Sequence, residues 1–260
     1  MMSVMGKVTS DNKKEVKTIL VSQPQPQRSP YFELEEKYGL TIDFRPFVQV
    51  EPVTEKEFRK CRVRPDEFTA IIFTSRSSIE HFFRMCEEMR IKMHQDTRYF
   101  CSSQAVANYL QKFIVYRKRK VFVGRRSIED IEKYFDKYKK EKFLLPCSNL
   151  GSQDVVKFLE TKKLNFQEAN MYNTVSSDLS DLKDIFYDVL VFFSPIDITS
   201  LFENFPDFEQ KDTRIAVFGN LTEAAAEEHG LFINIKAPSK EAPSMTMALE
   251  NYIQEILDNK

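Results

Sequence analysis

The chain has 260 residues, 42% hydrophobic and 30% charged, with a formal net charge of −1, the composition of a globular protein with one large domain or two small ones. The near-neutral balance excludes an overall electrostatic pull toward nucleic acid or membrane, and no run reaches the ~18 apolar residues of a membrane span. No N-terminal segment resembles a signal peptide, and Cys61, Cys86, Cys101 and Cys147 lack C-x-x-C or zinc-ligand spacing, so a cytoplasmic protein with reduced thiols is expected.

In chain order, residues 1–16 are polar and read as a flexible tail. Strand candidates follow as short β-branched or aromatic runs: Lys17–Val21, Ile42–Val50, Thr69–Phe73, Arg98–Cys101, Lys120–Val123, Lys142–Leu145, Asn165–Tyr172, Asp188–Phe193, Arg214–Phe218 and Leu231–Ile235. Helix-period segments lie between most of them. That alternation predicts an α/β fold with parallel sheets covered by helices on both faces. The basic run Arg117-Lys118-Arg119-Lys120, with Arg125-Arg126 behind it, reads as a solvated face or a phosphate-binding patch.

Part of the pattern occurs twice. Thr69-Ala-Ile-Ile-Phe-Thr-Ser75 runs into an apolar stripe at Ile79, Phe82, Phe83 and Cys86; Asp188-Val-Leu-Val-Phe-Phe-Ser194 runs into Ile198, Leu201, Phe202 and Phe205. Each stripe has helical i, i+3, i+4, i+7 spacing and starts four residues after the serine. A second strand-turn-helix follows each: Arg98–Ser103 before Ala105–Leu110, and Arg214–Asn220 before Thr222–Glu228. Matched order and register predict two similar lobes.

Ser75, Ser102, Ser103 and Ser194 follow strands and open helices, as does the turn Pro146-Cys-Ser-Asn-Leu150. Such residues cap helices, and the same N-termini attract carboxylates or phosphates. Conventional catalytic groups are scarce. His81 lies off its helix's apolar stripe and reads as a surface residue, and His229 sits at a helix C-terminus. There is no H-E-x-x-H, G-x-S-x-G, P-loop or G-x-G-x-x-G pattern. No cofactor or metal is implied, and an enzyme built this way works by positioning and electrostatics.

In order along the chain, Ile19-Leu-Val-Ser-Gln-Pro24, Phe44-Arg-Pro-Phe-Val48, Ile72-Phe-Thr-Ser75, Leu145-Pro-Cys-Ser-Asn149, Met171-Tyr-Asn-Thr174, Phe192-Phe-Ser-Pro195, Phe218-Gly-Asn-Leu-Thr-Glu223 and the Pro-containing Ala237–Pro243 resemble the phrases of the uroporphyrinogen-III synthase family. The departures are Asn220-Leu221, where the family shows Pro-Thr, and Ile196, where it has a small polar residue. The resemblance implies two lobes with a cleft between them. Residues 17–48 and 176–260 form lobe 1, 53–170 form lobe 2, and 49–52 with 171–175 form a two-stranded connector.

It also implies a function: a cofactor-free lyase that cyclises the linear tetrapyrrole hydroxymethylbilane to uroporphyrinogen III with inversion of the last ring and loss of water. By that resemblance Tyr172 is the general acid. Ser75, Ser102, Ser103, Ser148, Asn149, Ser194, Gly219 and Thr222, with Arg76 and Arg125, contact the substrate. A monomer acting on a small molecule, with no nucleic-acid or membrane partner, is expected. A non-catalytic anion- or tetrapyrrole-binding regulatory module of the same two-lobed fold is the alternative.

Overall fold

A computed structural model describes residues 14–258. Along the chain the elements are β1 (Thr18–Val21), α1 (Pro30–Tyr38), β2 (Thr41–Phe44), β3 (Val48–Pro52), α2 (Glu55–Phe58), β4 (Ala70–Phe73), α3 (Arg76–Glu88), β5 (Arg98–Cys101), α4 (Gln104–Leu110) and β6 (Val121–Val123). There follow α5 (Glu132–Lys137), β7 (Lys142–Ser148), α6 (Gln153–Thr161), β8 (Asn165–Ser176), β9 (Val189–Phe192), α7 (Pro195–Asn204), β10 (Arg214–Phe218), α8 (Asn220–Glu228), β11 (Ile233–Ala237) and α9 (Met245–Asp258). The chain divides into two compact units: residues up to Gln49 together with Val175 onward, and Val50–Thr174.

The first unit holds a five-stranded sheet in the order β11-β10-β9-β1-β2, parallel throughout. The second holds a six-stranded sheet, β3-β8-β7-β4-β5-β6, parallel from β8 to β6. Setting β9 against β4 makes the orders coincide: β2-β1-β9-β10-β11 corresponds to β8-β7-β4-β5-β6. The repeat read in the sequence therefore extends over all five strands of the first sheet and five of the six in the second, with β3 left over. Its first strand-helix-strand, β1-α1-β2, stands where β7-α6-β8 ends the second unit, a circular shift that hides the correspondence from a linear reading.

Each central strand is buried on both faces, which is why its sequence is an unbroken apolar run. In β4, Ile71 and Phe73 pack with Ile79, Phe82, Val106 and Leu110 of α3 and α4. The alternate residues Ala70 and Ile72 pack with Ile131, Phe135 and Leu159 on the opposite face. The first unit repeats this: Val189 and Val191 face Leu34, Leu249 and Ile253 of α1 and α9, while Leu190 and Phe192 face Ile198, Leu201 and Ala226 of α7 and α8. Phenylalanine fills the space that tryptophan would take elsewhere. Phe100 alone contacts the rings of Phe122, Phe135 and Phe143 at 4.9, 4.5 and 5.3 Å.

Three expectations are corrected. The run Ile42–Val50 is two strands, because Pro46 lacks an N–H and Phe47 turns inward to 1% exposure. β7 runs to Ser148 and β8 to Ser176, past the ends read from sequence. The tail expected over residues 1–16 lies outside the described residues except for its last three. Of these Val16 is buried, held where the N–H groups of Lys17 and Thr18 donate to Asp188 Oδ2 at 2.8 and 3.0 Å.

Candidate functional site

In the second unit β4 ends at Phe73 and the chain enters α3 through Thr74 and Ser75. Ser75 holds extended dihedrals, and its Oγ accepts from the Ser78 N–H at 3.0 Å while Ser78 Oγ accepts from the Ser75 N–H at 3.3 Å. This capping box is made from two neutral hydroxyls. It leaves the first-turn N–H groups of Arg76 and Ser77 ahead of any intrahelical carbonyl, at the positive end of a thirteen-residue helix. The Arg76 side chain is exposed beside this mouth, its Cζ 5.8 Å from the Tyr109 ring centroid.

Tyr172 reaches the same place from β8. Its residue is 8% exposed, and its Oη lies 3.4 Å from Ser75 Oγ. Burial pushes the phenol above its ordinary value of 10.0, against a smaller downward pull from the Ser75 hydrogen bond. A group so placed is protonated at neutral pH and able to donate.

His81 corrects the sequence reading: it is half-buried and stacks on Tyr172, with centroids 4.9 Å apart and planes at 21°. Burial, with the Arg84 charge beside it, holds the imidazole below its ordinary 6.5. Its position off the α3 stripe was legible, but the strand that covers that face comes from the distant end of the unit.

The remaining second-unit residues fall into two groups. Ser102 Oγ donates to the Thr74 carbonyl at 3.0 Å, tying the turn after β5 to the one after β4. Ser148 pairs with Tyr172 across a bulge in the β7–β8 ladder, so Ser75, Ser102, Ser148 and Tyr172 share the carboxyl ends of neighbouring strands.

Other predicted contacts are committed to the fold. Ser103 caps the seven-residue α4, accepting from Val106 N–H at 3.4 Å. Asn149 Oδ1 accepts from Thr174 N–H at 2.8 Å and its amide donates to the Thr174 carbonyl at 3.3 Å, which extends the strand pairing. The N–H groups of Arg125, Arg126 and Ser127 all donate to Asp130 Oδ2, at 3.0, 2.8 and 3.1 Å. These donors hold the Asp130 carboxyl below its usual range, Arg126 foremost. The backbone N–H groups of this turn are thus taken by Asp130, while the side chain of Arg125, the predicted contact, is exposed.

The first unit differs. Ser194 caps α7, but the next residue is Pro195, which has no N–H, and the buried Asp197 completes the box. Asp197 Oδ2 accepts from the N–H groups of Phe193 and Ser194, each at 3.0 Å, and from Ser22 Oγ at 2.9 Å. A carboxylate at that mouth opposes binding of another, which sets the start of α7 apart from that of α3. The sequence Ser194-Pro-Ile-Asp197 carried the capping-box signal that would have shown this.

At the next turn Gly219 caps α8 with φ +86°, a conformation that favours glycine, and its N–H donates to the Ala237 carbonyl at 2.7 Å. A shallow depression of 430 Å³ lies there, lined by Phe193, Phe218, Gly219, Leu221 and Thr222 among others. A larger cavity of 630 Å³ in the same unit, between Phe47, Tyr187, Leu201 and Phe205, is lined by none of the predicted site residues.

Among the described residues no group of three or more His, Cys, Asp or Glu could hold a metal ion, and no helix is long and apolar enough to cross a membrane. The fold and these strand ends define a protein of two related parallel α/β units, whose candidate chemistry rests on hydroxyls, helix N-termini and one buried phenol. Residues 29–247 match the family model described as uroporphyrinogen-III synthase HemD. The uroporphyrinogen-III synthase of Chlorobaculum parvum is 25% identical over 258 residues, covering 90% of this chain and 98% of that protein.

Two solved structures share the fold. The uroporphyrinogen-III synthetase of Helicobacter pylori has a TM-score of 0.60 at 16% identity, covering 92% of this chain and 99% of its own. A mutant uroporphyrinogen III synthase from the extremely thermophilic bacterium Thermus thermophilus gives 0.54 at 13% identity, over 94% and 100%. The chain belongs to the uroporphyrinogen-III synthase family.

Proposed function

We propose that this chain cyclises hydroxymethylbilane to uroporphyrinogen III, with Tyr172 as the general acid. The observation that carries the reading is the meeting of Tyr172 Oη with Ser75 Oγ at 3.4 Å, beside the open first turn of α3. Transfer of the phenolic proton to the substrate's terminal hydroxyl lets the C–O bond break and water leave. The adjoining pyrrole, keeping its N–H proton, becomes a protonated azafulvene electrophile.

The last ring attacks through its substituted carbon and gives a spiro intermediate. The older bond at that carbon then breaks, and the freed methylene bonds the ring's unsubstituted carbon. The proton displaced there restores the phenol, and the net loss is one water. Ser75 accepts from the Ser78 N–H, so its own O–H is free to support the phenolate between those events.

The substrate's carboxylates are held by backbone and hydroxyl donors with the charge of two arginines beside them. In the second unit these are the first-turn N–H groups of α3 with Arg76, Ser148 and the Arg125 side chain, while Ser102, whose N–H and O–H donate to the Phe73 and Thr74 carbonyls, shapes the turn beside them. In the first unit the contacts are Thr222 and the start of α8, with Gly219, whose N–H is given to Ala237, offering only close backbone approach, since Asp197 occupies the mouth of α7. Four free cysteines support action in a reducing, cytoplasmic compartment, and we read the active species as a monomer.

The test supplies freshly made hydroxymethylbilane and separates the oxidised porphyrin isomers. Type III product is the expected result. Type I alone, at the spontaneous rate, would overturn the proposal, and with measurable binding it would favour the regulatory module.

A further inference from the structure

We infer that His81 and Arg84 are positioning residues that hold the Tyr172 phenol against Ser75, an inference that rests on the assignment of Tyr172 as the acid. Arg84 is three residues beyond His81, on the same side of α3, and its guanidinium is spent almost entirely on this corner. Nη2 donates to the carbonyls of Val53 at 2.8 Å and of Met171, the residue before Tyr172, at 3.1 Å. Nη1 donates to Glu88 at 2.7 Å, and Nε donates to His81 Nδ1 at 3.4 Å.

One cation therefore fixes the backbone that carries Tyr172 and also the imidazole stacked on its ring. Accepting at Nδ1 places the His81 proton on Nε2 and makes the ring neutral, in keeping with an imidazole held below its ordinary value by burial and by Arg84.

The arrangement leaves the phenol ring little freedom. One face lies on His81, the backbone is held through Met171, and the hydroxyl meets Ser75. A tyrosine on a strand has two soft side-chain torsions, and a proton donor displaced by an ångström loses much of its effect. The sequence alone reads His81 as a surface residue, since the strand that covers it is remote in the chain.

The test compares His81→Ala, His81→Phe, Arg84→Lys and Tyr172→Phe, with the double variant H81A/Y172F. His81→Ala should lower kcat about tenfold with KM within about twofold, and raise the share of type I isomer from released intermediate. His81→Phe, which keeps a stacked ring, should recover most of that loss. Arg84→Lys, which cannot reach both carbonyls and the imidazole, should not. In the Tyr172→Phe background, His81→Ala should cost almost nothing further, because the proton whose donor it positions is gone.

A readout apart from turnover is the NMR signal of the His81 ring protons, which should lose an upfield ring-current shift in Tyr172→Leu. Additive losses in the double variant, an unchanged kcat for a folded His81→Ala, or an unchanged His81 signal would overturn the inference. If Tyr172→Phe itself leaves turnover intact, it is the assignment of the acid that fails.

Discussion

Ser75 Oγ and Tyr172 Oη meet at 3.4 Å although 97 residues separate them in the chain. Two features of the fold bring them together. β4 and β7 are neighbours in the sheet, as are β7 and β8, so the carboxyl ends of β4 and the far part of β8 lie along one edge. The bulge between Cys147 and Ser148 then carries β8 past its partner, and Tyr172 stands opposite the last residue of β7.

Tyr172→Phe should lower turnover about 100-fold, within the usual contribution of a positioned acid, while product binding changes little. The pH dependence carries the sign. An acid whose value is raised above 10.0 by burial stays protonated through neutral and mildly alkaline pH, so the alkaline limb of kcat should lie above pH 10. Steady-state rates across pH, with isomer analysis, check both statements. A limb well below 10, or type III product formed at full rate by the variant, would assign the proton to another group.

Ser75→Ala removes two things at once. The α3 cap is lost, at a cost of about 1 kcal/mol in stability, and the phenolate loses its hydroxyl partner. Turnover per folded molecule should fall about tenfold, the worth of one hydrogen bond made in the transition state. Ser75→Thr keeps the hydroxyl and should restore the cap. Urea denaturation beside kcat separates the two effects.

Gly124→Ala should destabilise the second unit by about 1–3 kcal/mol, the usual cost of forcing atoms into filled space. A methyl at that position would stand 2.0 Å from the Ser127 carbonyl oxygen and 2.7 Å from that of Ser102, both backbone atoms. The Arg125–Ser127 turn, held on Asp130, cannot give way without breaking its three N–H bonds. Chemical denaturation measures the loss, and an unchanged midpoint would contradict the packing described.

What the sequence disclosed followed the range of the interactions involved. Ser75 and Ser194 were legible because strand, cap and helical stripe occupy one contiguous stretch. The doubling of that stretch gave both parallel units. The Ile42–Val50 run was misread because its apolar residues continue while the backbone breaks at Pro46, a choice made by where Phe47 is buried.

His81 shows the opposite limit. Its partner, Tyr172, arrives on a strand whose place in the sheet no local pattern specifies. Asp197 lies between these cases: the Ser194-x-x-Asp197 capping pattern is local, but the Ser22 hydroxyl that shares its carboxylate comes from the far end of the chain.

Asp197→Ala leaves the N–H groups of Phe193 and Ser194 and the Ser22 hydroxyl without their shared acceptor. At about 1–3 kcal/mol for a buried group stranded in this way, a loss of about 2–4 kcal/mol is expected. Formate should restore part of it by occupying the vacated position. Melting curves with and without formate, beside the same comparison on the unaltered chain, decide the matter. Rescue of both to the same extent would mean a general salt effect.

The four cysteines should divide sharply by reactivity. Cys61 is exposed; Cys86, Cys101 and Cys147 are buried. Burial pushes the buried thiols from an ordinary 9.0 up to about 12, about 12 and about 11. The thiolate is the nucleophile, so at pH 8 in the folded state a disulfide reagent should titrate one thiol rapidly and reach the other three only after unfolding. The same shifts act on stability. These groups keep their protons longer when folded than when unfolded, so their contribution is complete below about pH 9 and is lost as pH rises toward 12. Alkaline unfolding should therefore steepen through that window, and Cys86→Ala, though it costs packing, should flatten the pH dependence. Rapid labelling of all four thiols at pH 8 would mean that the β4–β5 core opens far more readily than its buried aromatic packing allows.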